Sequence, residues 1–275
     1  MAFKLRIALI VAIAVVLAAA ILISLSQDRY GLSELGYVSK IKIMIVYDNE
    51  ALNESFEASW GFACVIDIDG DCILLDTGGN SSILLSNMAK MGINISKISI
   101  VVLSHIHADH TGGLMGFLDA RNGGVEVYLP ASFPKSFKRS IEDYGCSVIE
   151  VSKPIKIREG IATTGEMGFW IKEQALIVNT PKGAIVITGC AHPGIVNIAK
   201  RAKEIAGKVY MVLGGFHLMG YSESEILGII SQLKSLGVEA VAPCHCTGNL
   251  AKALFKQEFG DKYIEVGVGA VVELN

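Results

Sequence analysis

Charge is scarce in this sequence. Of 275 residues only 19% are charged, 24 basic against 27 acidic, for a formal net charge of −3. A protein built to grip a phosphate backbone carries a basic excess, so no nucleic-acid partner is expected. Proline occurs six times, and no low-complexity block or charged tail is present, which speaks against collagenous, coiled-coil and disordered chains. The six cysteines, Cys64, Cys72, Cys146, Cys190, Cys244 and Cys246, lack the spacing of a small disulfide scaffold and read mostly as small core residues. Cys64 and Cys72 flank a hairpin turn at Asp69-Gly70, but the tightest register does not place them opposite each other. Histidine is scarce as well: there are six, and none between 111 and 191.

What is abundant is apolar surface, 51% of the chain, and much of it is concentrated near the amino terminus. From Ile7 to Leu25 every residue except Ser24 is Ala, Val, Ile or Leu. As a helix this run would be about 28 Å long, enough to cross a bilayer's hydrocarbon core. Lys4 and Arg6 precede it, so residues 1–26 are expected to be a transmembrane anchor with a cytoplasmic amino terminus and an extracytoplasmic catalytic domain. A cleaved signal peptide is the rival, with Ala18-Ala19-Ala20 as a small-residue site; the protein would then be secreted.

Residues 27–39 read as a tether and 40–275 as one domain. Alternation at Tyr37–Tyr47, a hairpin of Gly61–Ile68 with Cys72–Leu75, and the all-apolar run Ile98–Leu103 predict a strand-rich first part, with a helix over Ser81–Met91. A helical stretch from Gly113, a strand at Val125–Leu129, a helix at Ser132–Tyr144 and strands near Cys146–Val151, Phe169–Ile171, Ala175–Asn179 and Ala184–Thr188 follow. The last third alternates: helix Gly194–Ala206, strand Lys208–Leu213, helix Ser222–Leu236, strand Val238–Ala242, helix Thr247–Phe259 and strand Tyr263–Val266. This pattern predicts an α/β layered fold, sheets covered by helices.

All six histidines fall in four short segments just after predicted strands: SHIHADH (His105, His107, His110), GCAHPG (His192), GGFHL (His217) and PCHCTG (His245). Loops at strand ends are where a rigid scaffold presents chemistry. His105, His107, Asp109 and His110 place four donors within six residues, and imidazole and carboxylate together suit Zn²⁺, Fe or Mn²⁺. Two histidines at i and i+2 can converge on one ion, while the Asp-His pair faces a second ion nearby; such a pair of ions can share a hydroxide that acts as nucleophile. Pro193 opens the following helix, whose amino terminus would favour an anionic substrate.

HxHxDH after an apolar strand, preceded by LLDTGG at Leu74–Gly79, resembles the signature of the metallo-β-lactamase-fold hydrolases, from about Trp60 to Val268. SHIHADHTGGL, GAIVITGCAHPGIVNI, VLGGFHL and PCHCTG are similar to one branch of it, the 7,8-dihydropterin-6-methyl-4-(β-D-ribofuranosyl)aminobenzene 5′-phosphate synthase-like proteins. The resemblance implies an αββα sandwich with a metal site along one edge. It implies His105 and His107 as ligands of a first metal, Asp109, His110 and His245 as ligands of a second, and Asp76 as a buried carboxylate orienting a ligand histidine. Two departures matter. The family's third histidine for the first metal is missing from its usual place, which leaves His192 as the candidate by elimination. Cys190 stands where the bridging aspartate usually lies, either as a ligand or lining the pocket.

The expected function is a metal-dependent hydrolase holding two divalent ions, zinc before iron or manganese, that uses a metal-bound hydroxide on an ester, lactone or phosphoester. The substrate is a small molecule, anionic if the helix amino terminus contributes. Asp109 and His217 are the catalytic candidates; for His217 the expected role is general acid or anion contact. Cys244 and Cys246, in a C-x-C pattern without two further ligands, read as structural. The branch resemblance implies an alternative, pterin biosynthesis, which sits poorly with an extracytoplasmic domain; a metal-retaining binding or sensing protein is the other.

Overall fold

The computed structural model describes residues 35–274. The apolar run Ile7–Leu25 lies outside them. Among the described residues no helix is long and apolar enough to cross a membrane. The longest has 13 residues, a rise of about 20 Å against a hydrocarbon core of about 30 Å. The expected partnership with a membrane through an N-terminal helix, and the single-pass extracytoplasmic placement built on it, are corrected accordingly.

Thirteen strands are described: β1 (Ile41–Tyr47), β2 (Ala63–Ile68), β3 (Asp71–Leu75), β4 (Ile98–Val102), β5 (Glu126–Pro130), β6 (Ser147–Val151), β7 (Lys156–Arg158), β8 (Ile161–Thr163), β9 (Leu176–Thr180), β10 (Gly183–Thr188), β11 (Val209–Gly215), β12 (Ala240–Cys244) and β13 (Val271–Leu274). The helices are α1 (Ser81–Lys90), α2 (Ala108–Thr111), α3 (Leu114–Arg121), α4 (Lys135–Glu142), α5 (Ile195–Ala206), α6 (Glu223–Ser235) and α7 (Asn249–Phe259). One sheet has seven strands in the order β13-β1-β2-β3-β4-β5-β6, the other six in the order β12-β11-β10-β9-β8-β7.

The sheets stack face to face. Ile43, Ile45, Ile66, Ile73 and Leu75 from the first meet Leu176, Val178, Ile185 and Leu213 from the second, all buried. Because successive side chains of a strand point to opposite faces, the alternate residues build two outer cores. Val65, Leu74, Val101 and Val127 pack against α1 and α3 through Leu84, Met88, Phe117 and Leu118. Ile177, Val186 and Val212 pack against α5, α6 and α7 through Ile198, Ile230 and Phe255. The result is helices, sheet, sheet, helices. It explains why the strands read as continuous apolar runs: both faces are covered.

The β2–β3 hairpin closes on Asp69 and Gly70, both at positive φ (54° and 93°), the two-residue turn that the Asp-Gly pair favours. Its register pairs Cys64 with Leu75 and Asp67 with Cys72, so those two cysteines are not opposed. Two predicted features differ, and three short strands are additional. Phe169–Ile171 is no strand; Phe169 and Trp170 stand exposed on a turn closed by the Met167–Glu173 bridge. Tyr263–Val266 contributes only a bridge from Tyr263 to Val241. The short strands β7, β8 and β13 went unread because they carry three or four residues each and are held by pairing, not by composition.

Strand direction positions the site. β3 and β4 run parallel, β1 runs the same way through antiparallel β2, and β10, β11 and β12 are mutually parallel. Their carboxyl ends release the segments beginning at Asp48, Asp76, Leu103, Gly189, Phe216 and His245. Ligand sites in parallel α/β sheets form at such ends.

Candidate metal centre

Every histidine of the sequence lies in this one cluster. His105 Nε2 is 3.1 Å from His107 Nδ1, and the His105 and His107 rings lie 4.7 Å and 5.0 Å from His192. His110 Nε2 is 3.2 Å from His245 Nε2, and Asp109 Oδ2 is 3.6 Å from the first and 3.4 Å from the second. Cys190 Sγ is 3.2 Å from His110 Nε2 and touches both groups. The His217 ring lies 4.3 Å from that of His192, tilted by 56°. All the residues expected as metal ligands are thus brought together, in the groupings His105–His107–His192 and Asp109–His110–His245, with donor atoms within 4.8 Å inside each.

Surrounding hydrogen bonds fix the tautomers. Asp76 Oδ2 accepts from His110 Nδ1 at 2.7 Å and from Ser104 Oγ at 2.7 Å, and Oδ1 accepts from Ser104 N. Ser104 Oγ, its proton given to Asp76, accepts from His105 Nδ1 at 2.9 Å. Asn49 donates to the His245 carbonyl through Nδ2, which turns Oδ1 toward His245 Nδ1 at 3.0 Å. Each of these rings therefore carries its hydrogen on Nδ1 and aims a bare Nε2 lone pair inward. The His110 and His245 lone pairs, facing one another at 3.2 Å, repel unless a cation or proton lies between them. His192 Nε2 adds a buried nitrogen with no hydrogen-bond partner. The donor chemistry fits divalent cations, with three imidazoles at one position and two imidazoles, a carboxylate and a thiol at the other.

Glu173 is fully buried and holds the loop after β10: Oε1 accepts from the N–H groups of Cys190 and Ala191, and Oε2 from His192 N, at 2.8–2.9 Å. Gly189 precedes that loop because a side chain there would collide with Ser104 Oγ. Asp76, Ala191, His217 and His245 have φ between 50° and 61°, a region non-glycine residues enter at a cost of roughly 1–3 kcal/mol each. Four of the six such residues described are at the centre, so the surrounding contacts hold the backbone there to aim donors.

The electrostatics separate the two groupings. Burial, then the neighbouring imidazoles, holds His105 well below its ordinary range and His192 at about 4, so both stay neutral donors. Burial also opposes charge on His110, but Asp76 and Asp109 outweigh it and raise its pKa. Burial works against ionisation of Asp109, yet His245 and His110 hold it below the usual carboxylate range. His217 is raised by its contact with Cys246. Cys190 beside it and His217 hold Cys246 below the ordinary thiol range.

A pocket of about 250 Å³ opens beside His192 and His217, lined also by Phe216, Tyr221, Asn197 and the amino-terminal turn of α5. Trp60, half exposed, lies 5.0 Å from the His245 ring. Sequence reasoning missed Asn49, Glu173 and Cys246. Asn49 follows β1 as the histidine loops follow their strands, and that shared position was the available signal. Glu173 and Cys246 gave none, since their partners are distant in the chain or belong to a C-x-C pair without a second pair.

A family model described as the metallo-beta-lactamase superfamily matches residues 61–194. The 7,8-dihydropterin-6-methyl-4-(beta-D-ribofuranosyl)-aminobenzene-5′-phosphate synthase of Methanocaldococcus jannaschii is 30% identical over 292 aligned positions, covering 88% of this chain and 99% of its own. The crystal structure of Tm1679, a metal-dependent hydrolase of the beta-lactamase superfamily, superposes with a TM-score of 0.70 at 29% identity over 85% of this chain and 99% of that one. Zn²⁺-bound PqqB from Methylobacterium extorquens shares the fold, with a TM-score of 0.55 at 12% identity over 85% and 100% of the two chains.

Proposed function

The chain belongs to the metallo-beta-lactamase superfamily, and from that premise we propose that it is a metal-dependent hydrolase of a small, anionic ester, lactone or phosphoester. The observation that carries this reading is the convergence of imidazole nitrogens on two adjacent positions, His105 with His107 and His110 with His245, the last pair both bare. His105, His107 and His192 would hold one divalent cation, and Asp109, His110 and His245 the other, with Cys190 beside both. Zinc is the leading choice, consistent with the zinc-bound PqqB of the same fold. Bound there, such cations supply Lewis acidity and make water acidic enough to attack at neutral pH.

The protein's own groups do the rest. Asp109 stays ionised and can orient the attacking water by accepting its hydrogen bond. His217, exposed toward the pocket and with a raised pKa, keeps a ring proton available for the leaving oxygen. The N–H groups of the first turn of α5, which line the same pocket, favour an anionic substituent. Glu173 fixes the His192 loop, so the substrate meets a preformed wall.

The test is metal content of the purified chain followed by a panel of esters, lactones and phosphodiesters. About two zinc, iron or manganese ions per chain with turnover on one class is the expected result. A His107→Ala variant that retains full metal and activity would sink the reading. A second reading, a synthase like the Methanocaldococcus jannaschii relative, is favoured by identity extending along nearly the whole of that protein. Formation of a condensation product from a pterin and an aminobenzene ribosyl phosphate, without hydrolysis of the panel, would establish it instead.

A further inference from the structure

Cys246 lies in the 3-10 turn that follows β12; it touches His217 but is not among the metal ligands named above. Its Sγ is 3.3 Å from Cys190 Sγ, and both thiols are buried. Cys190, His245 and Cys246 bring their donor atoms within 4.8 Å of one another, and His245 belongs equally to the Asp109–His110–His245 grouping. We propose that Cys190 and Cys246 together give that second position a two-sulfur face, making it a site for a thiophilic divalent cation such as Zn²⁺, Fe²⁺ or Co²⁺, and a poor one for Mg²⁺, Mn²⁺ or Ca²⁺; this rests on the metal-centre reading.

Four observations carry it. The first is charge: two divalent cations bring four positive charges, ligating imidazoles are neutral, and Asp109 is the one carboxylate in these donor groupings. Two thiolates raise the anionic donors from one to three, in a setting where burial makes uncompensated charge expensive. Second, as a donor Cys246 has one backbone acceptor, the Cys190 carbonyl at 3.6 Å, a long contact for a poor donor, and its remaining neighbour is His217, itself at the centre. Third, the fold makes room for this sulfur. Any side chain at Gly215 would stand 2.8 Å from Cys246 Sγ and closer still to the Gly189 carbonyl. Fourth, the turn is braced at both ends, with Thr247 Oγ1 donating to Cys244 O at 2.6 Å and accepting from Phe216 N at 3.1 Å, while His245 is held at φ 50°. The C-x-C motif around His245 thus points its second sulfur at the centre, while Cys244 is buried between the sheets.

Sulfur ligation has a signature independent of activity. The full chain, kept reduced, stripped of metal and reloaded with Co²⁺, should show visible d–d bands together with a near-ultraviolet sulfur-to-cobalt charge-transfer band. Cys246→Ser should remove about half of that band, the Cys190→Ser/Cys246→Ser double variant all of it, and Cys146→Ser none. Cys246→Ser should also narrow the preference for Cd²⁺ over Mn²⁺ at least tenfold. Alkylation of the wild-type thiols, read by mass spectrometry, keeps the test decisive if a variant misfolds: Cd²⁺ should shield Cys190 and Cys246 together. Cobalt bound with d–d bands but no charge-transfer band, or Cys246 alkylated equally with and without Cd²⁺, overturns the sulfur face and leaves the metal centre standing. No cobalt bound at all overturns both.

Discussion

The two halves of the centre are supported differently. His105, His107 and His192 offer three imidazole nitrogens, two of them from one extended segment, and the brace on His192 acts through the backbone: Glu173 grips the N–H groups of residues 190–192. Asp109, His110 and His245 mix carboxylate with imidazole, and their rings are gripped directly, His110 by Asp76 and His245 by Asn49. The first grouping includes the partly exposed His107 and His192; in the second, His110 and His245 are buried. A site braced through its backbone should tolerate changes around its rings, whereas one braced ring by ring should lose ligand geometry with each brace. One residue crosses the divide. Asp76 holds His110 directly and His105 through Ser104.

Asp76→Ala should therefore have the largest effect, emptying both halves together. It leaves His110 Nδ1 and Ser104 N unpaired in a fully buried setting, a loss of about 3–5 kcal/mol. For a chain of this size that lowers the melting temperature by roughly 10 °C. Metal analysis and calorimetry on one preparation check it; loss of only one ion would mean the halves share no support.

Next in size is a pH effect from Asp48, which accepts from His245 N and so belongs to the ring-braced half. Burial raises its carboxyl to about 6 from 3.8. Between those values the folded chain keeps a proton that the unfolded chain has lost, so stability is fully present below pH 3.8 and lost as pH rises through 6. The loss is on the order of 3 kcal/mol. His192, lowered to about 4, acts in the opposite direction, costing stability as pH falls below 6.5. The measurement is accordingly a difference: urea unfolding of metal-free wild type and Asp48→Asn at pH 4 and pH 7, with the wild type alone losing the Asp48 contribution.

A matched pair of variants then separates the halves. Asn49→Ala frees the His245 ring and should weaken the second position about 10- to 100-fold while sparing the first. Glu173→Gln exchanges one acceptor oxygen for a donor beneath the 190–192 loop and should weaken the first position by a similar factor through His192. Stepwise chelator titration reads both. Equal losses at both positions in either variant would erase the distinction drawn above.

The same difference governs what the sequence could show. His105, His107, Asp109 and His110 were legible because ligands one to five residues apart on one loop leave a local pattern. The layered α/β fold was legible because buried strands read as apolar runs bounded by turns such as Asp69-Gly70. His192 came only by elimination. Asn49 and His245 are 196 residues apart and meet because β1 and β12 end on the same side of the sandwich, a fact of topology that no local spacing encodes. Cys246 looked structural because a C-x-C pair seems to need a second pair, whereas its companion sulfur, Cys190, lies 56 residues away. Phe169–Ile171 looked like a strand because it is apolar, yet its aromatic pair stands exposed beside Gly168, which a side chain would drive into the Ile171 carbonyl.

The smallest effect is expected at the far end of the same strands. Lys208, just before β11, pairs with Glu239, just before β12, at 2.8 Å, with roughly half of each side chain exposed. Both strands end at the metal centre, so any long-range sensitivity of the site to strand positioning should be felt here. A solvated pair of long side chains gains little over its hydration and is screened by salt. Register between β11 and β12 is held by backbone pairing from Met211–Ala240 to Gly215–Cys244, which the substitution leaves alone. Glu239→Gln should leave metal content, chelator titration and melting temperature unchanged at physiological salt. A shift in the second position's affinity would mean that the centre is tuned through the strands and not by its own braces, and the separation of the two halves would have to be reargued from the sheet.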